Sequence, residues 1–215
     1  MEIYPSILVD DYQEFEKRIQ LLGKTPSLLH IDLGDGIFVP HKSFQDIEKV
    51  TSFPWEVSFE LHFMLTNPDT SILPWLKTPA KRIIFHWEAK EGSHTWVHGL
   101  LKKIKQAGKE AGIGLNPKTS QEKIYAFLGE LDLVLIMSVE PGFSGQIFMP
   151  EVIPKIKALR EKGFVGIIEV DGGMNEKTIP FVKEAGASAA AVASAIFERD
   201  DPREALYNLK RKIES

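Results

Sequence analysis

The sequence predicts an α/β fold, a single-domain (β/α)8 TIM barrel over residues 1–215. Three observations predict it. Short apolar runs and amphipathic stretches alternate eight times along the 215 residues, and strands alternating with helices build a parallel sheet. No linker, composition shift or internal repeat breaks the alternation. Residues able to do chemistry recur at the carboxyl ends of the apolar runs, where parallel α/β proteins gather their sites. A doubly wound open sheet satisfies the same alternation. Eight units in this length favour closure, the usual barrel size being about 250 residues.

Ile3 to Val9 reads as the first strand, and Asp10-Asp11 caps a helix with apolar positions Phe15, Ile19, Leu21 and Leu22. Leu28 to Leu33 is the second strand, stopped by Gly34-Asp35-Gly36. Residues 41–55 read as irregular and aromatic-rich, with a short helix near Phe44–Val50. Val57 to Leu65 is the third strand, and Asn67-Pro68 opens a helix running to Leu76. Arg82 to Trp87 is the fourth strand, Ser93 to Ala111 a long amphipathic helix, and Gly112 to Leu115 a short fifth strand. Ser120 to Leu128 reads as helix. Leu131 to Ser138 is a sixth strand, apolar almost throughout, as a strand covered on both faces requires. Helix is expected over Pro150–Lys162, Asn175–Gly186 and Pro202–Ile213, with strands seven and eight at Val165–Val170 and Ala187–Val192.

Composition narrows the function. Hydrophobic residues make up 43% of the chain, ample for a sizeable core. A net charge of −4 offers no basic footprint for nucleic acid, although a local field still suffices to hold a phosphate. The absence of cysteine excludes disulfides and thiolate chemistry. No apolar run approaches the roughly 20 residues that span a bilayer, and the first residues lack a secretory pattern. The expectation is a soluble, cytoplasmic protein with neither nucleic-acid nor membrane partners.

His30 and Asp32 stand two apart on one strand, so both share a face. His62, His86 and Asp171 also fall at or beside strand ends. In a barrel these groups converge on one mouth, and two His with two Asp make a divalent-metal site for Zn²⁺, Mn²⁺ or Fe²⁺. Each residue alone is better explained as a packed histidine or a cap; the joint pattern raises the metal reading to even terms. His86 reads as a supporting or packed residue, and His41, His94 and His98 as surface residues. Glycine-rich turns follow strands six and seven, at Pro141–Gln146 and Asp171–Gly173, and Ala193-Ser194-Ala195 follows strand eight. Such turns let backbone N–H groups approach an anion, and barrels bind phosphate after strands seven and eight. Neither a nucleoside-triphosphate loop nor a dinucleotide fingerprint is present.

The segments His30–Pro40, Leu61–Met64, Met137–Gln146 and Glu169–Gly173 together resemble the ribulose-phosphate 3-epimerase family. Pro5–Leu8, Phe85-His86, Gly114–Pro117 and Ser194–Phe197 extend the resemblance, in order, over nearly the whole chain. The resemblance implies a ribulose-phosphate-binding barrel that interconverts D-ribulose 5-phosphate and D-xylulose 5-phosphate. By position it implies His30, Asp32, His62 and Asp171 as metal ligands, with Asp32 and Asp171 as the catalytic acid/base pair. Ser6 and His62 fall on substrate-contacting positions. Gly142, Phe143, Ser144, Gly145, Gly172, Gly173, Ala193 and Ser194 fall on the substrate-binding turns. One divalent ion is implied, Zn²⁺ first, with Fe²⁺, Mn²⁺ or Co²⁺ as alternatives, and a homo-oligomer, dimer or hexamer. The chain departs from the family pattern at Gly34 (usually Met), Ile37 (His), His41 (Asn), and Ser144 and Ala193 (both Gly). Gly34 is expected to enlarge the cavity and admit a longer sugar. The alternatives are therefore 3-epimerisation of a hexulose 6-phosphate such as allulose 6-phosphate, or a non-catalytic sugar-phosphate-binding barrel.

Overall fold

The computed structural model describes residues 1–90 and 93–214. Its eight strands close into one parallel barrel in sequence order. They are β1 (Glu2–Ile7), β2 (Leu28–Gly34), β3 (Ser58–Met64), β4 (Arg82–His86), β5 (Glu110–Leu115), β6 (Leu133–Met137), β7 (Ile167–Asp171) and β8 (Ala189–Val192). The helices are α1 (Tyr12–Leu22), α2 (Ile47–Ser52), α3 (Pro68–Trp75), α4 (His94–Gln106), α5 (Ile153–Glu161), α6 (Ile179–Glu184), α7 (Ser194–Phe197) and α8 (Pro202–Glu214). The closed barrel decides against the open sheet. Among the described residues no helix is long and apolar enough to cross a membrane.

Strand period 2 divides the core. Ile83, Phe85, Val134 and Ile136 point outward into the large cluster shared with the helices. Ile84, Leu133, Leu135 and Met137 form a separate cluster in the barrel interior. Small residues make room there: a Cβ on Gly112 would stand 2.9 Å from Leu133 Cδ2 and 3.1 Å from Ile84 Cγ1. A Cβ on Gly114 would meet the His86 ring at 3.2 Å, so this glycine lets an imidazole lie inside the barrel.

Several boundaries differ from the sequence expectation, each for a local reason. The long helix ends at Gln106 rather than Ala111, because Gly108 turns at φ +74°. Glu110 and Ala111 then belong to β5, where Ala111 is buried and Glu110 meets Arg82. Residues 121–127 wind as a 3₁₀ helix. The Asn175 side chain accepts from the Lys177 N–H, closing a turn and delaying α6 to Ile179. The short helix expected near residues 44–50 starts at Ile47, where Asp46 caps it. His94 and His98 are exposed as expected; His41 is half-buried, with Nε2 2.9 Å from Asp10.

One buried cation secures the loop after β5. Lys155 Nζ on α5 donates to the carbonyls of Asn116 (3.0 Å), Pro117 (2.5 Å) and Thr119 (2.6 Å). Lys155→Met strands three carbonyls and is expected to cost about 2–3 kcal/mol, read as a lower urea midpoint at unchanged slope. A wild-type midpoint would mean the loop holds its shape without the lysine.

Candidate active site

The second and third strands put an imidazole and a carboxylate side by side. His30 and Asp32 point inward from β2, His62 pairs with Asp32 in the ladder with β3, and Asp171 ends β7. One donor atom from each of the four lies within 4.8 Å of the others. His62 Nδ1 is 2.7 Å from Asp32 Oδ1 and 3.9 Å from Asp171 Oδ2. His30 Nε2 is 3.2 Å from His62 Nδ1 and 3.3 Å from Asp32 Oδ1. Ligands of a tetrahedral ion held at the usual bond length stand about 3.3 Å apart, so these spacings fit one divalent cation. The two histidines are fully buried and Asp171 is 15% exposed, as for a closed floor open on one side.

The electrostatics favour positive charge here. Burial opposes ionisation of Asp32, yet His30 and His62 beside it hold its carboxyl well below the usual range. Burial, then the Asp32 charge, pushes Asp171 up to about 6. Burial works against a charged His30, but Asp32 and Glu169 hold its pKa well above the ordinary value. A cation held at this cluster would take the place of that proton.

The far side of His62 is committed. Its Nε2 is 2.8 Å from His86 Nε2, and His86 Nδ1 is 3.2 Å from Glu88 Oε2. Burial keeps His86 neutral, its pKa below the usual value. Ionised Glu88 only accepts, so His86 Nδ1 carries the proton and its Nε2 accepts from His62 Nε2–H. The nitrogen that His62 turns to the cluster is Nδ1, 2.7 Å from Asp32 Oδ1. His86 thus supports His62 from the side away from the cluster. Phe38 covers its ring, with centroids 5.0 Å apart. Ser6 Oγ–H donates to Asp32 Oδ2 at 2.7 Å.

Three charged residues that sequence reasoning missed lie deeper: Glu60, Arg82 and Glu169, all buried. Glu60 and Glu169 stand two residues before His62 and Asp171, and Arg82 four before His86, so strand period alone puts them on the inner face. Burial raises Glu169 to about 8, with the Glu60 charge second. For Glu60, burial is outweighed by His30 and Arg82, which hold it below the usual range.

Above the cluster lies a cleft lined by Ser6, Asp32, Met64, Met137, Asp171 and all three small-residue turns, with Gly142–Gly145, Gly172, Gly173, Ala193 and Ser194. His30 and His62 do not line it; they sit beneath. Gly172 (φ +106°) and Gly173 (φ +63°) need glycine twice over, since Cβ atoms there would lie 2.4 Å from Val139 Cγ2 and 2.6 Å from Phe148 N. Gly173→Ala is expected to raise KM for a sugar phosphate at least about tenfold, because strain of about 1–3 kcal/mol must displace that turn. Unchanged steady-state KM would separate the turn from binding. Ser144 and Ala193 cost nothing: no described non-glycine residue has positive φ, and Ala193 sits at φ −105°.

The expectation of an enlarged cavity at Gly34 is corrected. A Cβ there would stand 2.5 Å from the His41 carbonyl oxygen and 2.9 Å from Val39 Cγ2. Buried Val39 also lies against Gly142, so the loop after β2 occupies the space and closes on the turn after β6. Asp35 holds that loop by accepting from the N–H groups of Ile37, Phe38 and Thr66 and from Thr66 Oγ1.

Comparison with known proteins follows the same direction. The model of the "Ribulose-phosphate 3 epimerase family" matches residues 2–197. The ribulose-phosphate 3-epimerase of Bacillus subtilis is 36% identical over 221 residues, covering 98% of each chain. That of Mycobacterium tuberculosis H37Rv is 35% identical over 219 residues, covering 98% of this chain and 92% of the relative. Among solved structures, KGPDC from Streptococcus mutans in complex with D-R5P superposes with a TM-score of 0.72 at 12% identity, covering 99% of this chain and 97% of the other, a likeness of fold. With a family match across nearly all of its barrel, the chain belongs to the ribulose-phosphate 3-epimerase family of isomerases.

Proposed function

We propose that the protein interconverts D-ribulose 5-phosphate and D-xylulose 5-phosphate by metal-dependent epimerisation at C3. The observation that carries this reading is the meeting of two carboxylates and two imidazoles within 4.8 Å, directly below a cleft rimmed by glycine turns. His30, Asp32, His62 and Asp171 would hold one divalent ion, Zn²⁺ first and Fe²⁺, Mn²⁺ or Co²⁺ otherwise. When bound, the ion supplies positive charge beside oxygens on which negative charge develops.

Epimerisation removes a proton α to a ketone and returns one to the opposite face. It therefore needs a base on each side of C3, and Asp32 and Asp171 take these roles. One carboxylate accepts the C3 proton, leaving an enediolate; the other delivers a proton from the far side. Ser6 holds the Asp32 carboxylate in place by its hydrogen bond. Met64 and Met137, both buried, keep the reacting carbon in a dry and polarisable wall. The turns at Gly142–Gly145, Gly172-Gly173 and Ala193-Ser194 bind the phosphate, with Phe143 at the lip, and that remote binding orients C3. A homo-oligomeric state belongs to this reading by family and is checked by light scattering.

The test is conversion of D-ribulose 5-phosphate in deuterium oxide. The expected product is D-xylulose 5-phosphate carrying deuterium at C3. Binding without exchange would leave a sugar-phosphate-binding barrel, and faster turnover of allulose 6-phosphate would move the substrate to six carbons.

A further inference from the structure

We propose that Glu60 and Arg82 are positioning residues for the metal centre. Glu60 selects the His30 tautomer that can bind a cation, and Arg82 holds Glu60 in place. The inference rests on the metal-dependent reading above.

The arrangement is a ladder across four strands. His30 on β2 pairs in register with Glu60 on β3, Glu60 with Arg82 on β4, and Arg82 with Glu110 on β5. Partners in a parallel ladder face the same side, so all four side chains meet. His30 Nδ1 is 2.8 Å from Glu60 Oε1, and Arg82 Nη1 donates to Glu60 Oε2 at 2.5 Å. Arg82 Nε and Nη2 both donate to Glu110 Oε2, at 2.8 and 2.6 Å. Each oxygen of Glu60 thus has its own partner, and the guanidinium plane is held from its other edge. Glu60 cannot turn away from the imidazole without also giving up its bond from Arg82 Nη1.

Fold stability alone does not account for these charges. A buried ion pair is commonly no better than apolar packing of the same volume, and apolar Ile84, Leu133 and Leu135 fill neighbouring interior positions. What the charges do have is direction. A carboxylate only accepts, so Nδ1 keeps a proton whether the ring is charged or neutral, and Nε2, which faces Asp32 and His62, is the nitrogen left to a cation. Glu169 Oε1 lies 3.0 Å from the same Nδ1 but makes no hydrogen bond there, so Glu60 is the acceptor that places the proton. His62 is held from behind by a different relay, through His86 to Glu88. Both ligand imidazoles are therefore aimed by an acceptor on the nitrogen away from the site, as metal-binding histidines require. The trio His30, Glu60 and Glu169 also has the composition of a cation site, but the Arg82 guanidinium already provides the positive charge there.

The experiment measures Zn²⁺ affinity of the full chain by competition with a chromophoric chelator, together with the ¹⁵N shifts of His30 in the Zn²⁺ form. Wild type is expected to bind Zn²⁺ with His30 protonated at Nδ1. Glu60→Gln keeps the shape but can present an N–H to the ring, so it is expected to bind Zn²⁺ roughly 10- to 100-fold more weakly and to show the other tautomer. The double variant Glu60→Leu/Arg82→Met removes the acceptor together with the guanidinium it holds, and is expected to fold and to bind as weakly. A wild-type His30 protonated at Nε2, or variants with wild-type affinity, would overturn the proposal while leaving the metal reading intact. A wild type that does not bind Zn²⁺ would overturn the metal reading and this inference with it.

Discussion

Asp171→Asn is expected to lower kcat for D-ribulose 5-phosphate roughly 10²- to 10⁴-fold, the range in which a positioned acid or base contributes. The reason is geometric: the carboxyl ends β7 at the cleft, across the cluster from Asp32, and an amide cannot exchange the proton that one face of C3 requires. The fold should not suffer. Burial and the neighbouring Asp32 charge already penalise an ionised Asp171, so a neutral isostere removes repulsion, and the metal-free variant should melt no lower than wild type. Progress curves and deuterium incorporation at C3, set beside a thermal melt, check both halves. Turnover within a few-fold of wild type would take Asp171 out of the mechanism; a large drop in melting temperature would make it structural.

Stripping the divalent ion is expected to abolish turnover and also to lower stability. Two imidazoles and two carboxylates share a space less than 5 Å across on an otherwise covered floor, and without a cation the carboxylates repel. Binding linkage sets the scale: at a thousandfold excess over Kd the ion stabilises the fold by about 4 kcal/mol. Re-addition of Zn²⁺, Mn²⁺, Fe²⁺ or Co²⁺ to chelator-treated protein should restore activity and raise the melting temperature together. His62→Ala should blunt both responses. Full activity in protein shown by elemental analysis to lack metal would refute the requirement.

The barrel was legible because its signal is local. Apolar runs such as Leu133–Met137 and caps such as Asp11 for α1 depend only on neighbours in sequence. Period 2 along one strand likewise sufficed to place His30 beside Asp32 on an inner face. The same rule carried back two residues from His62 and Asp171 would have found Glu60 and Glu169. A charge in a barrel interior makes sense only beside its partner, and these partners come from other strands.

The sequence by itself determined the eight-unit alternation, the strand ends at which the cluster residues stand, and the small-residue turns after β6, β7 and β8. Only the tertiary structure decided the register that sets His30, Glu60, Arg82 and Glu110 side by side, because ladder pairing joins residues far apart in the chain. It also decided that Gly34 opens no cavity, since Val39 folds back from the next loop into the vacated space. It showed too that Ser144 and Ala193 replace glycine without strain, because backbone angles at these turns follow from how the loops pack. Local propensity writes elements; which side chains share a buried volume is a property of closure.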